Sequence, residues 1–247
     1  MPPFFYYLIL QKVDRIEIRR REIEMHIGMI GGIGPAATLF YYEQLVKGYA
    51  GHDAPLELTI ANSSAKALTE NLAAGRGELQ AQEFKRLADQ LKAAGAQCVV
   101  ITSMGGHFCL PEFAPISPLP IIEGPASVRD YLVANGIRRP GILGTRKVME
   151  SALYGVLDDL EPVIPVGEEL EQANQDYVDM AVAGSATQAQ RTRLLAAGET
   201  LMAQQGAEVI LLGGTDLSIV YDETTEIPFI DTAQVHVEAI IAATLNR

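Results

Sequence analysis

Short apolar runs alternate along the chain with stretches of helical periodicity. Residues 26–31, 56–61 and 98–102 form such runs, and continuous apolar runs of this length are typical of strands in a parallel sheet covered on both faces. Residues 79–94 have the spacing of an amphipathic helix that Gly95 closes as its C-cap. The alternation predicts α/β layers joined by right-handed crossovers.

The chain also repeats itself at long range. Residues 95–103 can be laid over residues 206–214 without a gap, and residues 28–31 over residues 141–144, at almost the same separation. The repeat predicts two similar α/β/α lobes with mainly parallel sheets. The further elements that we predict are helices over residues 126–133, 147–157, 169–183, 187–205 and 233–245, and strands over residues 121–122, 141–144, 163–166, 209–212 and 229–230.

The repeat indicates where a ligand would bind. Ligands of open parallel sheets bind beyond the carboxyl ends of the strands, and Ser103 and Gly214 occupy equivalent places at such ends. Facing lobes would put these positions on opposite walls of one active-site cleft, where two-base proton exchange needs a group on each side of a carbon atom. We assign residues 25–122 and 233–247 to the first lobe and residues 123–232 to the second.

Composition and charge exclude several classes of protein. With 48% hydrophobic residues the chain is globular, and no apolar run reaches the roughly 18–20 residues of a membrane span. The net charge of −12 argues against a nucleic-acid partner, and two cysteines make no disulfide framework, which favours the cytoplasm. Residues 1–24 carry their charges after an apolar stretch, the reverse of a signal peptide. We interpret them as an extension or an upstream reading of the start, with an ordered extra strand or helix as the alternative.

No cofactor and no metal are predicted. The glycines of residues 31–34 run into Pro35 as G-G-x-G-P, which is not a dinucleotide fingerprint. Pro35 instead fits the first position of a helix. His26, His52 and His236 show no metal-ligand spacing.

Several segments in order carry a family resemblance. The chain resembles the aspartate/glutamate racemase superfamily, a group of cofactor-independent amino-acid racemases and their relatives. The resemblance runs from about residue 26 to residue 246. The segments that carry it are residues 29–35 with Thr38, residues 102–107, residues 143–146, residues 213–216, and residues 231–233 with His236.

The resemblance implies an active site between two α/β lobes. In typical members two cysteines face each other across the substrate α-carbon, one thiolate removing a proton and the opposite thiol returning one. A small amino acid or other small carboxylate is the implied ligand, and a homodimer is the implied assembly.

This sequence departs from the family pattern where the chemistry lies. Ser103 and Gly214 stand at the two cysteine positions, and a serine is a far weaker acid than a thiol. Cys98 begins a strand some 16 Å before Ser103, at about 3.3 Å per residue, and we interpret it as a buried apolar residue. Cys109 is expected near the rim of the cleft. Two-thiol racemisation is therefore not available to this chain.

The candidate catalytic residues are Ser103, His107 and Asp216. His107 would orient a ligand or act as a general acid, or else pin its loop by hydrogen bonding. Asp216 would act as a base, or else cap the following helix. Backbone amides of glycine-rich turns bind anions, and neutral polar side chains line such clefts. The candidate substrate-binding residues are Gly32, Gly34, Asn62, Ser63, Met104, Gly105, Gly214 and Thr215.

Three functions stay open on the sequence. The first is an aspartate/glutamate racemase-like isomerase acting on a small amino acid or dicarboxylate without the two thiols. The second is a decarboxylase or lyase using the same cleft, since such reactions need at most one proton-transfer group. The third is a noncatalytic binder of a small carboxylate, which the absence of both thiols favours.

Overall fold

The computed structural model describes residues 25–245, so the predicted extension over residues 1–24 lies outside the described part. All strand pairs in it are parallel, in two separate sheets. None of the helices described there is both long and apolar enough to cross a membrane. The predicted α/β architecture with two lobes is confirmed.

The first sheet has the strand order β2-β1-β3-β4. Its central strands β1 and β3 are wholly buried because helices cover both faces, as their continuous apolar sequences predict. The elements of this part are β1 (Ile27–Gly31), α1 (Pro35–Gly51), β2 (Leu58–Asn62), α2 (Ala65–Ala73), α3 (Gly77–Ala93), β3 (Cys98–Ile101), a 3-10 helix (Gly105–Cys109), α4 (Leu110–Phe113), a second 3-10 helix (Ala114–Ile116) and β4 (Ile121–Ile122).

The second sheet has the strand order β5-β6-β7. Its central strand β6 is again wholly buried. The elements here are α5 (Gly124–Ala134), β5 (Pro140–Leu143), α6 (Arg146–Glu150), α7 (Glu168–Ala183), α8 (Gln188–Gln205), β6 (Val209–Leu212), a 3-10 helix (Thr215–Ile219), β7 (Phe229–Asp231) and α9 (Thr232–Leu245).

The last helix returns to the first lobe. Side chains of α9, including Val237 and Ile240, share an apolar cluster with β1 and α1. The Tyr49 hydroxyl on α1 donates a hydrogen bond to the Thr244 hydroxyl on α9, at 2.6 Å. The helix also packs against α5, so it joins the two lobes. This packing suits the assignment of residues 233–247 to the first lobe, although the lobe boundaries stay a prediction.

Two predicted elements are wrong in extent. The helix predicted over residues 147–157 ends at Glu150, and Ala152, Leu153 and Tyr154 have left-handed φ angles of 46°, 54° and 63°. The Ser151 hydroxyl donates to the Lys147 carbonyl and accepts from the Tyr154 amide, and such local bonds compete with a helix. The strand predicted over residues 163–166 is reduced to one bridge between Gly141 and Val163.

Candidate active site

The predicted site residues lie at the carboxyl ends of the strands or in the loops that follow them. In the first sheet β1 leads into the glycines of residues 31–34, β2 ends at Asn62, and β3 leads to Ser103. In the second sheet β6 leads into residues 213–216 and β7 ends at Asp231. Because the strands of each sheet are parallel, each set of loops lies at one edge of its sheet.

The glycine turn after β1 is closed by Thr38. The Thr38 hydroxyl accepts a hydrogen bond from the Gly32 amide at 2.9 Å and donates to the Gly34 carbonyl at 3.0 Å. Gly32 has a φ of +77°, and a Cβ there would lie 2.2 Å from Oδ1 of Asn62. The turn therefore needs glycine, and it brings Gly32 and Asn62 together. The Gly32 amide is already used by Thr38, which leaves Gly34 as the freer of the two predicted glycines.

Ser103 follows β3 and is partly exposed. Among residues 25–245, no group forms a hydrogen bond with its hydroxyl. Its carbonyl accepts from the Gly106 amide at 3.1 Å and from Nδ1 of His107 at 2.8 Å. The Ser103 side chain is thus open to a ligand while its backbone is fixed.

His107 is fully buried and both of its ring nitrogens are used. Nδ1 donates to the Ser103 carbonyl, and Nε2 accepts from the Gly124 amide at 3.2 Å. Burial lowers the pKa of His107 to about 4, so the ring is neutral at neutral pH. This arrangement matches the loop-pinning alternative, since the ring has no nitrogen left for a substrate.

A second buried histidine packs edge-on against the first. The ring centroids of His107 and His236 are 5.9 Å apart. Nε2 of His236 donates to the Ile122 carbonyl and Nδ1 accepts from the Tyr41 hydroxyl, both at 2.9 Å. Burial lowers the pKa of His236 to about 3. The His107 ring thus ties the loop after β3 to the start of α5, and the His236 ring ties α9 to β4 and α1.

Other predicted binding residues of the first lobe are less accessible. Met104 is buried in an apolar cluster with Val128 and Leu132 of α5. Ser63 is also buried, and its amide donates to the Gly31 carbonyl at 2.8 Å. The structure therefore places both side chains in packing positions, and a binding role for either stays a prediction.

Gly214, at the end of β6, lies directly beneath a tyrosine. A Cβ built on Gly214 would be 2.0 Å from the Tyr177 hydroxyl oxygen and 2.5 Å from Cζ of the same ring. Tyr177 comes from α7 and is partly exposed. The volume that a side chain at position 214 would take is therefore filled by a phenol from another element.

Interactions of the Asp216 carboxyl group with its own amide and with the Tyr177 hydroxyl favour the carboxylate and lower its pKa. Burial nevertheless raises the pKa of Asp216. Burial and the neighbouring Asp216 charge also raise the pKa of Tyr177. Gly214, which has no side chain, is the N-cap residue of the short 3-10 helix that begins at Thr215, and the capping alternative for Asp216 stays a prediction.

A second tyrosine connects the two lobes. The Tyr154 hydroxyl, from the left-handed turn after α6, donates to the Gly105 carbonyl at 3.2 Å. A Cβ at Gly105 would lie 3.5 Å from the Ser103 hydroxyl oxygen, so this contact is next to Ser103. One tyrosine of the second lobe thus contacts the loop that carries Ser103, and another covers Gly214.

The sequence offers no direct signal for these tyrosines. Residues 170, 173, 177 and 180 follow helical spacing, and Leu170, Ala173 and Met180 are buried, so Tyr177 lies on the inward side of α7. That stripe could have marked Tyr177 as facing the protein interior. Nothing in it indicates that Gly214 is the residue beneath.

Both cysteines are buried. Cys98 lies in the apolar cluster of the first lobe, as the sequence indicates. Cys109 is 0% exposed, and burial raises the pKa of its thiol to about 12, far from the range of a reactive thiolate. In the described part of the chain no group of His, Cys, Asp and Glu side chains could hold a metal ion.

Comparisons with known proteins agree with this architecture. The sequence model of the Asp/Glu/hydantoin racemase family matches residues 30–240. A Yersinia pestis protein provisionally named an Asp/Glu racemase is 23% identical, with a TM-score of 0.80 over 89% of this chain and 98% of that chain. An aspartate racemase homologue from Pyrococcus horikoshii is 22% identical, with a TM-score of 0.75 over 90% and 99% of the two chains. The aspartate racemase of Picrophilus torridus is 19% identical, with a TM-score of 0.67 over 88% and 93%.

Proposed function

Because this chain belongs to the Asp/Glu/hydantoin racemase family, we propose that it is an isomerase that moves the α-proton of a small amino acid or dicarboxylate without thiols. The reaction takes place between the loop that follows β3 and the loop that follows β6. The substrate α-carbon lies against Ser103 on one side and against the second-lobe loop on the other.

The observation that carries this proposal is the pair of second-lobe tyrosines, one at each of the two strand ends. The Tyr154 hydroxyl on the Gly105 carbonyl brings the second lobe beside Ser103, and Tyr177 covers Gly214. The proposal places the partly exposed residues Ser103 and Tyr177, with the carboxyl group of Asp216, around one substrate. A carboxyl group whose pKa is raised by burial is a better base for a weakly acidic proton than an exposed one.

His107 has a positioning role in this proposal. Its two ring nitrogens hold the Ser103 carbonyl and the Gly124 amide, so it fixes the first wall without touching substrate. Asp231 has a similar positioning role in the second lobe. Its carboxylate accepts the Ala233 amide at 2.8 Å and starts α9, while burial raises its pKa.

Proton exchange in deuterium oxide tests the proposed function. Single enantiomers of aspartate, glutamate and related acids are incubated with the protein, and α-deuterium is measured by NMR while configuration is measured by chiral chromatography. We expect deuterium to enter at least one of these acids, and Ser103→Ala to slow its inversion. Tight binding of an acid without any exchange would instead identify a noncatalytic carboxylate binder.

A further inference from the structure

We propose that Tyr177 is the proton-transfer residue of the second lobe, standing in for the side chain that Gly214 lacks, and that Asp216 receives and returns the phenolic proton. The inference rests on the proposed function and adds to it the identity of the group on the second wall. It also assigns a reactive role to a residue of α7, far along the chain from the strand end that it serves.

The first argument is the position of the phenol. A Cβ at Gly214 would lie 2.0, 2.5 and 2.7 Å from Oη, Cζ and Cε2 of Tyr177, all shorter than real Cβ contacts. The hydroxyl of Tyr177 is the closest of these atoms. The reactive end of the ring, rather than its apolar edge, therefore occupies the place where a side chain from β6 would project.

The second argument is that two side chains in the turn before Tyr177 fix α7 to its neighbours. Oδ1 of Asn174 accepts the Arg146 amide at 2.7 Å, which ties α7 to the start of α6. The carboxylate of Asp176, 2% exposed, accepts from Nε and Nη2 of Arg193 on α8, at 2.7 and 2.6 Å. Bidentate ion pairs of this kind fix orientation as well as distance. The helix thus presents the phenol in one position.

The third argument is the direction of the hydroxyl protons. The Tyr154 hydroxyl donates to a backbone carbonyl, which cannot accept a full proton. The Tyr177 hydroxyl, at Gly214, lies beside the carboxyl group of Asp216 two residues further on, and a carboxylate can accept one. Only Tyr177 of the two therefore has a partner to which its proton can move, which assigns proton transfer to Tyr177 and a tethering role to Tyr154.

The proton transfer balances without any further reactant. As the α-carbon–hydrogen bond breaks, its proton moves to the Tyr177 oxygen and the phenolic proton moves to the Asp216 carboxylate. The electron pair of the broken bond stays on the substrate and is delocalised into its carboxyl group. Reversal returns a proton to the same face of the carbon, and exchange of the Asp216 proton with water makes that proton a solvent one. Burial keeps Tyr177 un-ionised, so the relay needs Asp216 as the final base.

Tyr177→Phe is the decisive variant, because the ring stays over Gly214 and only the hydroxyl is removed. Solvent deuterium exchange is measured for each enantiomer of the acids that wild type exchanges, and their affinities are measured by calorimetry. We expect exchange of the enantiomer whose α-proton faces the second lobe to fall about 100-fold or more, the usual effect of a general base, with affinity nearly unchanged. Tyr131→Phe, on the exposed surface of α5, is the matched control and should keep wild-type exchange.

A second variant distinguishes loss of the reacting group from loss of the fold. Gly214→Cys combined with Tyr177→Ala gives the thiol room at the strand end, and we expect it to exchange the same enantiomer that Tyr177→Phe loses. Wild-type exchange that persists at full rate in Tyr177→Phe for both enantiomers would overturn the role of Tyr177 and leave the proposed function intact. No exchange of any acid by wild type would overturn both.

Discussion

The ends of β3 and β6 occupy equivalent places in the two lobes, but the side chain found at each end comes from a different source. At the first, Ser103 projects from the chain itself, and His107 pins its loop from below. At the end of β6, Gly214 has no side chain, and the ring of Tyr177 from α7 fills the space. A strand end therefore fixes the position of one wall of the proposed cleft, while the proposed reacting group on that wall can come from another element.

Low pH should have the largest effect on the free energy of unfolding. It acts on the first lobe, because both buried histidines lie there. The pKa values of His107 and His236 are about 4 and about 3 in the folded protein, below the ordinary 6.5. The unfolded chain therefore binds protons first, and stability is lost as pH falls below 6.5. Two such groups give a slope of up to about 2.7 kcal/mol per pH unit.

The carboxyl groups of Glu123, Asp216 and Asp231 oppose this slope, since burial raises their pKa values and their protonation favours the folded state. Urea unfolding between pH 7 and pH 4.5 gives the net effect, and NMR of the histidine rings isolates their part. Ring signals of His107 and His236 that titrate in the folded protein near pH 6.5 would contradict the assignment.

A methyl group added at each strand end sharpens the comparison. Gly214→Ala forces Tyr177 to move and should lower the free energy of unfolding by about 1–3 kcal/mol, as overpacking does. In Gly105→Ala the new Cβ meets the Ser103 hydroxyl at an ordinary 3.5 Å, so the change should stay within about 0.5 kcal/mol. In a Tyr177→Ala background the cost of Gly214→Ala should largely disappear. Equal costs at the two glycines would refute the idea that only one strand end is filled from outside.

The smallest effect is expected at the contact that joins the walls. Tyr154→Phe removes the hydrogen bond to the Gly105 carbonyl and should lower the free energy of unfolding by about 0.5–1.5 kcal/mol. Tyr42→Phe, at an exposed position of α1, provides the baseline in the same urea titration. A loss no greater than that baseline would mean that the Tyr154 hydroxyl does not hold the lobes together.

Periodicity predicts most of the fold because the spacing of apolar residues in each strand or helix reflects which of its faces are buried. The apolar runs of β1, β3 and β6 predict central parallel strands, and Thr187 with Gln190 forms the capping box that begins α8. The failure after α6 has a local cause. A serine hydroxyl bonded to the backbone redirects the chain into a left-handed turn that an apolar pattern does not record.

The sequence by itself determined the two-lobed α/β fold, the family, and the strand ends where Ser103 and Gly214 stand, because these depend on local burial patterns and motifs. Only the tertiary structure decided which groups meet there. Tyr177 lies over Gly214 because α7, anchored through Asn174 and Asp176, packs across the end of β6. A contact between positions far apart in the chain leaves no mark on the spacing of either segment, so the phenol at the missing side chain could be found only in three dimensions.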